Sequence, residues 1–414
     1  MRLDERRVME LQCEECACAE ACCVPAWPVE HKLAAIVRQN CAAVAAARFR
    51  GANVSANGAE LARAVTTALF RNECFPEWST DDWFALLDHL KHRLTIKLRR
   101  TSALHEVDGS RGAWLFGDLH GQYDTLRHWI RHVCGTPKQK SGPAYVFMGD
   151  YVDRGPASFE TAVTLLCLSA THDTVSVLRG NHELPETNQH DLRRELKRKF
   201  KDDGDAIWAA LNDVFACLPL MARIDGTFLC MHGGIHGELD LDLLSQIKTP
   251  LLSVFTSDES AHAPAGALCD TSVYNVLWSD PTSASRGGRL YLPNNRGPGI
   301  VQYSPDAVEE FFRRNNMPED SHIFRAHQVV NGAQTPTGHS KVTTVFSATM
   351  CFTNSGARHS NAGGVVFVPA DNSAVVCHKT PKNAQMEDEV LYSRCTLVPL
   401  IESCVHARAQ SKNE

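Results

Sequence analysis

Five short stretches of this chain are built from residues that bind metals or move protons. They read Gly117-Asp118-Leu119-His120-Gly121, Gly149-Asp150-Tyr151-Val152-Asp153-Arg154-Gly155, Gly180-Asn181-His182-Glu183, His232-Gly233-Gly234 and Arg325-Ala326-His327. Their ligand groups are carboxylate, carboxamide and imidazole, without sulfur. Such a mixed oxygen and nitrogen set suits manganese, iron or zinc better than an all-oxygen calcium or magnesium cage. Asp118, His120, Asp150, Asn181, His232 and His327 make six candidate ligands from five loops. That is too many for one tetrahedral zinc, and the right number for two divalent cations sharing a bridging carboxylate. Two cations ~3.5–4 Å apart clamp the attacking and leaving oxygens of an in-line displacement. Each residue also has an ordinary reading, because Asp-x-His after a strand is usually a cap or turn and an exposed Arg is usually an ion-pair partner. Their occurrence together carries the ligand reading.

The elements that must hold these groups are legible around them. The clusters follow short apolar runs at Ala113–Phe116, Tyr145–Met148, Val175–Leu178, Phe228–Met231 and Ile323–Phe324, and a further run spans Val342–Phe346. Short apolar runs bounded by turn residues read as buried strands. Stretches of helical character, Ser158–Cys167 and Leu192–Phe200, lie between them. This alternation predicts an α/β sandwich of mixed sheets flanked by helices, in which ligands collect beyond the carboxyl ends of strands.

Three regions follow from the texture of the chain. Residues 1–110 read as a helical accessory extension with a cysteine-rich start. Within it, Ala34–Arg48 is Ala-rich, and Ser79 with Asp82 suits a capping box before Trp83, Leu86, Leu87, Leu90 and Leu94 at helical spacing. A basic end at Lys97–Arg100 favours a helix C-terminus. Residues 111–380 carry all five clusters, with a Ser-, Ala-, Asp- and Pro-rich surface loop expected over 253–272. Residues 381–414 read as a polar tail.

Composition narrows the function classes. Hydrophobic residues make up 43% and charged residues 22%, as in ordinary soluble globular proteins. Acidic and basic residues are interspersed and the net charge is −6, which gives no footing for nucleic acid. The charged opening has no apolar signal core, no run approaches the ~18 apolar residues of a membrane span, and Arg2 stands where myristoylation needs Gly. With no secretory signal, the 16 cysteines are expected as reduced thiols in the cytoplasm, with the nucleus as the alternative. Cys13, Cys16, Cys18, Cys22 and Cys23 contain one C-x-x-C but no second, so plain thiols outweigh a zinc site or acylation.

Read in order, GDLHG, GDYVDRG, GNHE, HGG and RAH resemble the phosphoprotein phosphatases, the metal-dependent group that includes type 1, type 2A and calcineurin. The resemblance spans about residues 112–378 and includes Leu277-Trp278-Ser279-Asp280-Pro281 and Asn295-Arg296-Gly297. It implies the metallophosphoesterase sandwich and hydrolysis of phosphoserine and phosphothreonine by a metal-activated hydroxide. Asp118, His120 and Asp150 would hold one divalent ion, and Asp150, Asn181, His232 and His327 the other. Manganese is expected in vitro, with iron and zinc as alternatives. His182 would protonate the leaving oxygen, Asp153 would orient His182, and Arg154, Arg296 and Asn181 would bind phosphate. Phosphoproteins are the implied substrates, with room for a regulatory subunit.

The chain departs from the family in two places. After Val345-Phe346-Ser347-Ala348 the family continues Pro-Asn-Tyr-Cys, whereas this chain reads Thr349-Met350-Cys351-Phe352 and adds residues before Asn361-Ala362-Gly363. The family's active-site tyrosine is therefore missing, and sensitivity to the toxins that bind this loop is not implied. Leu184-Pro185-Glu186-Thr187-Asn188 also lacks the usual aromatic helix pattern, which places the chain in a divergent branch such as those of protists. Two other readings compete. One is a different binuclear phosphoesterase, such as a diadenosine tetraphosphate hydrolase, against which stand Glu183, the full Asp153-Arg154-Gly155 and the Trp278–Pro281 segment. The other is a non-catalytic relic that docks phosphoproteins, which usually lacks a ligand or the acid; none is missing here.

Overall fold

The computed structural model describes residues 54–99, 102–138, 141–247, 270–283, 288–352, 358–371 and 376–379. The Ala34–Arg48 helix, the N-terminal cysteines and the 381–414 tail expected from sequence lie outside the described residues.

Two sheets are packed face to face by the period-2 alternation of their strands. One sheet has the order β1-β5-β6-β10-β12-β11, from Leu104–Val107, Met221–Ile224, Phe228–Met231, His322–Arg325, Val342–Val345 and Ala333–Gln334 respectively. The other has the order β16-β15-β2-β3-β4, from Val376–Lys379, Gly364–Val368, Ala113–Phe116, Ala144–Phe147 and Val175–Val177. Ala113 and Leu115 of β2, Ala144 and Val146 of β3, Phe228 and Cys230 of β6 and Phe324 of β10 share one buried cluster between the sheets. The alternate residues Trp114, Phe116, Tyr145 and Phe147 face the opposite way, into a second cluster made with helices. Successive side chains of a strand point to opposite faces, so one apolar run serves both clusters.

Helices cover the outer faces. α1 (Val54–Arg71), α2 (Thr80–Arg99), α4 (Ser158–Thr171), α5 (Asp191–Phe200) and α6 (Gly204–Phe215) pack on the five-stranded sheet, with the short α3 (Tyr123–His128) beside them. The cap expected for α2 is present: the Ser79 hydroxyl accepts from the Asp82 amide at 3.2 Å and donates to its carboxylate at 2.6 Å. Trp83, Leu86, Leu87, Leu90 and Leu94 are all buried against Ala62, Val65 and Leu69 of α1. α7 (Asp270–Trp278) and α8 (Pro305–Arg314) cover the outer face of the six-stranded sheet. The loop expected over 253–272 gives way to α7 from Asp270, because Val273, Val276 and Leu277 recur at helical spacing and are fully buried.

A small sheet has the order β7-β9-β8 (Asp280–Pro281, Val301–Tyr303, Tyr291–Pro293), and β13 (Met350–Phe352) and β14 (Arg358–Ser360) form a hairpin. β1 precedes the boundary drawn at residue 110, so one catalytic-region sheet takes its first edge strand from the N-terminal region. No helix of the described residues is long and apolar enough to cross a membrane.

Candidate metal centre

Every candidate ligand lies just past the carboxyl end of a strand, and both sheets present those ends to one place. β2, β3 and β4 run parallel, as do β6, β10 and β12, and a bridge from Asp118 to Phe346 joins the two sets. Asp118 and His120 follow β2, Asp150 follows β3, Asn181 follows β4, His232 follows β6 and His327 follows β10. These turns are tight. His120, Asp150, Asp153, Arg154 and His327 all have positive φ, between 44° and 69°. Left-handed backbone is uncommon outside glycine and concentrates at functional sites, where surrounding contacts hold it. Gly149 shows why its turn needs glycine: at φ 100° a Cβ there would lie 2.5 Å from the Gly180 Cα and 2.8 Å from the His232 Nδ1.

Asp150 is the hub. Its carboxylate is shared by two groups of side chains whose ligand atoms lie within 4.8 Å of one another: His120, Asp150 and His182, and Asp150, His232 and His327. His232 Nε2 lies 2.8 Å from Asn181 Oδ1, 3.2 Å from Asp150 Oδ1 and 3.2 Å from His327 Nδ1. His120 Nε2 stands 3.6 Å from both Asp118 Oδ2 and Asp150 Oδ2. The other Asp118 oxygen accepts the His327 backbone N–H at 2.8 Å, tying the two halves of the site together. Asp118 therefore faces His120 without joining its tight group, and His182 occupies that place.

These contacts test whether the donor set fits cations. His232 donates Nδ1–H to the Met148 carbonyl at 2.8 Å, and His120 donates Nδ1–H to the Val152 carbonyl at 3.0 Å. A metal-binding imidazole is neutral and has one N–H, so in that form Nε2 of both residues presents its lone pair. The His232 lone pair faces a carboxamide oxygen and a carboxylate oxygen; that of His120 faces two carboxylates. Neither oxygen type donates, and all these groups are buried. Lone pairs converging in a dry site call for positive charge between them, a metal ion or a proton, and backbone carbonyls fixing the other imidazole nitrogen are the usual support for a metal ligand. The donor set fits.

The charge directions show the carboxylates drawing positive charge to this place, which a proton on the rings meets when no metal does. Burial lowers the pKa of His120 and His232, but Asp118 and Asp150 outweigh it and the net shift is upward for both. Burial raises the Asp150 pKa, yet His232, His182 and His120 draw it well below the usual carboxylate range. His327 moves the other way, held well below normal by burial and then by His232, Arg325 and Arg296.

The proton-moving and anion-binding candidates sit on the same rim. His182 Nδ1 pairs with Asp153 Oδ2 at 2.7 Å, which aims Nε2 at the centre, 4.0 Å from Asp150 Oδ2. The second Asp153 oxygen accepts from the Leu192 amide at 2.8 Å, so α5 fixes the pair. Arg154 is exposed, with Nη2 3.5 Å from His182 Nε2. Arg296 reaches the site from the loop between β8 and β9, its Nε donating to Asp280 Oδ2 at 2.9 Å.

Three residues to which sequence reasoning assigned no role support this array. The buried Glu183 carboxylate accepts backbone N–H groups from Asp150 (2.8 Å), Tyr151 (2.8 Å) and Gly180 (2.9 Å), clamping the turns of two candidate ligands together. Asp280 accepts from Arg296, from Asn294 Nδ2 at 3.1 Å and from the fully buried Arg325 at 3.1 Å. Both had a signal, since each falls inside a motif, Glu183 beside His182 and Asp280 within Leu277–Pro281. Gln122 had none. Its side chain accepts from the amides of Thr349 and Met350, at 3.0 Å each, and donates to the Met350 carbonyl at 2.7 Å. It thus holds the divergent β13–β14 hairpin, where the tyrosine was missing, two residues from His120.

Residues 113–331 match the profile of the calcineurin-like phosphoesterases, and the chain belongs to that family. It is 34% identical over 264 residues to the serine/threonine-protein phosphatase BSL2 of Arabidopsis thaliana, an alignment covering 62% of this chain and 24% of that protein. The chain thus spans about a quarter of the curated relative it matches. A solved structure of a protein serine/threonine phosphatase from Saccharomyces cerevisiae, with similarity to human phosphatase PP5, superposes with a TM-score of 0.55 at 27% identity. That match covers 75% of this chain and 88% of the yeast chain.

Proposed function

We propose that this chain is a metal-dependent protein serine/threonine phosphatase that uses a pair of divalent cations. The observation that carries the reading is the convergence of the His120 and His232 Nε2 atoms on the Asp150 carboxylate, with the His182–Asp153 pair and two arginines on the same rim. The similarity to the Arabidopsis and yeast serine/threonine phosphatases supports the substrate class.

Asp118, His120 and Asp150 would hold one ion, and Asp150, Asn181, His232 and His327 the other. When bound, such cations act as Lewis acids toward phosphoryl oxygens and acidify water at neutral pH. Arg154 and Arg296 bind phosphate oxygens through planar forks, with the Arg296 fork held against Asp280. Asn181, whose Oδ1 lies 2.8 Å from His232 Nε2, would add a phosphate contact. His182, held by Asp153, gives its Nε2 proton to the departing serine or threonine oxygen. No cysteine enters the reaction. Manganese is the ion expected to support activity in vitro, and phosphoproteins are the substrates.

The test is turnover of a phosphoserine or phosphothreonine peptide with added manganese, alongside His182→Ala and Asp118→Asn. A ~10²–10⁴-fold loss of kcat is expected for His182→Ala. Diadenosine tetraphosphate is the competing substrate. Cleavage of that nucleotide with the peptide left intact would reassign the substrate class, and no turnover of either with metal bound would favour a docking protein.

A further inference from the structure

The His182–Asp153 pair rests on a carboxylate that belongs to none of the five motifs. Glu195 lies one turn into α5 and is buried. Its Oε2 accepts the backbone N–H of Ser158 at 3.0 Å and its Oε1 that of Phe159 at 2.9 Å. These are the first two amides of α4, whose preceding residue, Ala157, has no side-chain oxygen with which to cap them. A carboxylate there satisfies two orphan donors and faces the positive end of the helix.

A cap for α4 would be the whole role if the contacts ended there, but they continue to the site. The Ser158 hydroxyl accepts the Asp153 backbone N–H at 3.1 Å. The amide of Leu192, three residues before Glu195 on the same helix, donates to Asp153 Oδ1 at 2.8 Å. Asp153 Oδ2 then takes His182 Nδ1 at 2.7 Å. Glu195, Ser158, Asp153 and Leu192 therefore form a closed ring, and the carboxylate is the link between its two helices.

The turn held by this ring is one that needs holding. Asp153 and Arg154 both have φ 67°. Left-handed backbone at a non-glycine residue costs about 1–3 kcal/mol, and it persists only where the surroundings fix it. The start of α4 has no room to move toward the metal centre, because a Cβ at Gly121, next to His120, would already lie 2.9 Å from Ser158 Oγ.

We propose that Glu195 is a positioning residue for the acid: by locking the start of α4 to the first turn of α5 it holds Asp153 where it aims His182 at the leaving oxygen. The proposal rests on the phosphatase reading above. A serine alkoxide needs a proton to leave and a nitrophenolate does not, so a misaimed acid shows as a leaving-group preference, which a general loss of fold or metal does not produce.

The experiment compares a phosphoserine peptide with p-nitrophenyl phosphate, using the manganese-loaded full-length chain as wild type, Glu195→Gln, Ser158→Ala, His182→Ala and the double variant E195Q/H182A. The ratio of kcat for the peptide to kcat for p-nitrophenyl phosphate is expected to fall about tenfold or more in Glu195→Gln, and less in Ser158→Ala. The double variant should be no lower in that ratio than His182→Ala, since the acid is already gone. Hydrogen exchange with and without manganese should show the amides of 152–154 and 192 exchanging about tenfold faster in Glu195→Gln. Ser158→Ala keeps the α4 amides on Glu195 and carries the comparison if the glutamine variant does not fold. An equal fall for both substrates would leave Glu195 a helix cap and overturn the proposal, as would an unchanged ratio or additive losses in the double variant. If His182→Ala lowers the ratio and neither Glu195→Gln nor Ser158→Ala does, the positioning role alone fails. If His182→Ala leaves the ratio unchanged, the acid reading fails and takes the proposal with it.

Discussion

Glu183→Gln is the most informative single change in the chain. The carboxylate is fully buried and accepts three backbone N–H groups, two on Oε2 from Asp150 and Gly180 and one on Oε1 from Tyr151. Glutamine keeps the shape but replaces one acceptor by a donor. The less costly placement puts the new NH2 toward Tyr151, which loses one hydrogen bond and leaves a buried amide N–H facing another donor. An unsatisfied buried donor costs ~1–3 kcal/mol, and hydrogen bonds to a charged group are the stronger ones, so a loss of about 2–4 kcal/mol is expected. For a domain of this size that lowers the melting temperature by about 5–10 °C. The same contacts fix the turns that carry Asp150 and Asn181, so metal affinity should fall about 10–100-fold, as for other changes behind metal ligands. Both quantities are measurable without turnover, by thermal denaturation and by metal content after equilibration against buffered manganese. A glutamine variant that melts within about 1 °C of the wild type and retains its metal would refute the reasoning, since the three amides would then not need the carboxylate.

Three further outcomes are expected. Asp280→Asn removes the charged partner of Arg296 and of the buried Arg325, so KM for a phosphopeptide should rise about tenfold, with stability lost by about 3 kcal/mol; unchanged KM would detach Arg296 from phosphate binding. Stripping metal with a chelator should abolish turnover and also lower the melting temperature, manganese restoring both; saturation at 100 times Kd corresponds to about 2.7 kcal/mol. Equal melting with and without metal would count against the centre. His322 is buried, shares a hydrogen bond with Thr343 Oγ1 at 2.8 Å, and has its pKa pushed from 6.5 down to about 3, chiefly by burial. A depressed histidine is neutral in the fold, so its contribution is intact above the unfolded value of 6.5 and is lost as pH falls from there toward 3. At pH 4.5 the loss is about 2–3 kcal/mol, and His322→Gln should show an acid destabilisation smaller by that amount in paired melts at pH 7 and 4.5. Identical acid sensitivity would show that His322 titrates normally.

The strands were legible because each is a short apolar run cut off by glycine and polar residues, and the structure places Ala113–Phe116 and Phe228–Met231 at the residues the pattern marks. The α2 start was legible because Ser79 and Asp82 make their contact within one turn. α7 was not, because Asp270 and Ser272 continue the polar composition of the preceding segment and only burial of Val273, Val276 and Leu277 sets it apart. Gln122 carries no motif of its own, and its partners Thr349 and Met350 lie more than two hundred residues away.

From the sequence alone came the ligand types, their order, and the strand ends that present them, because those depend on side-chain chemistry and on patterns a few residues long. Only the tertiary structure decided that Asp150 is common to both groups of side chains, that carbonyls of Met148 and Val152 fix Nδ1 of His232 and His120 and turn Nε2 toward oxygens, and that Glu183 and Asp280 hold the turns and arginines in place. The physical reason is distance along the chain. His327 and Asp118 touch across 209 positions. Contacts of that separation are set by how two sheets close on one another, and no local pattern encodes the distance between them.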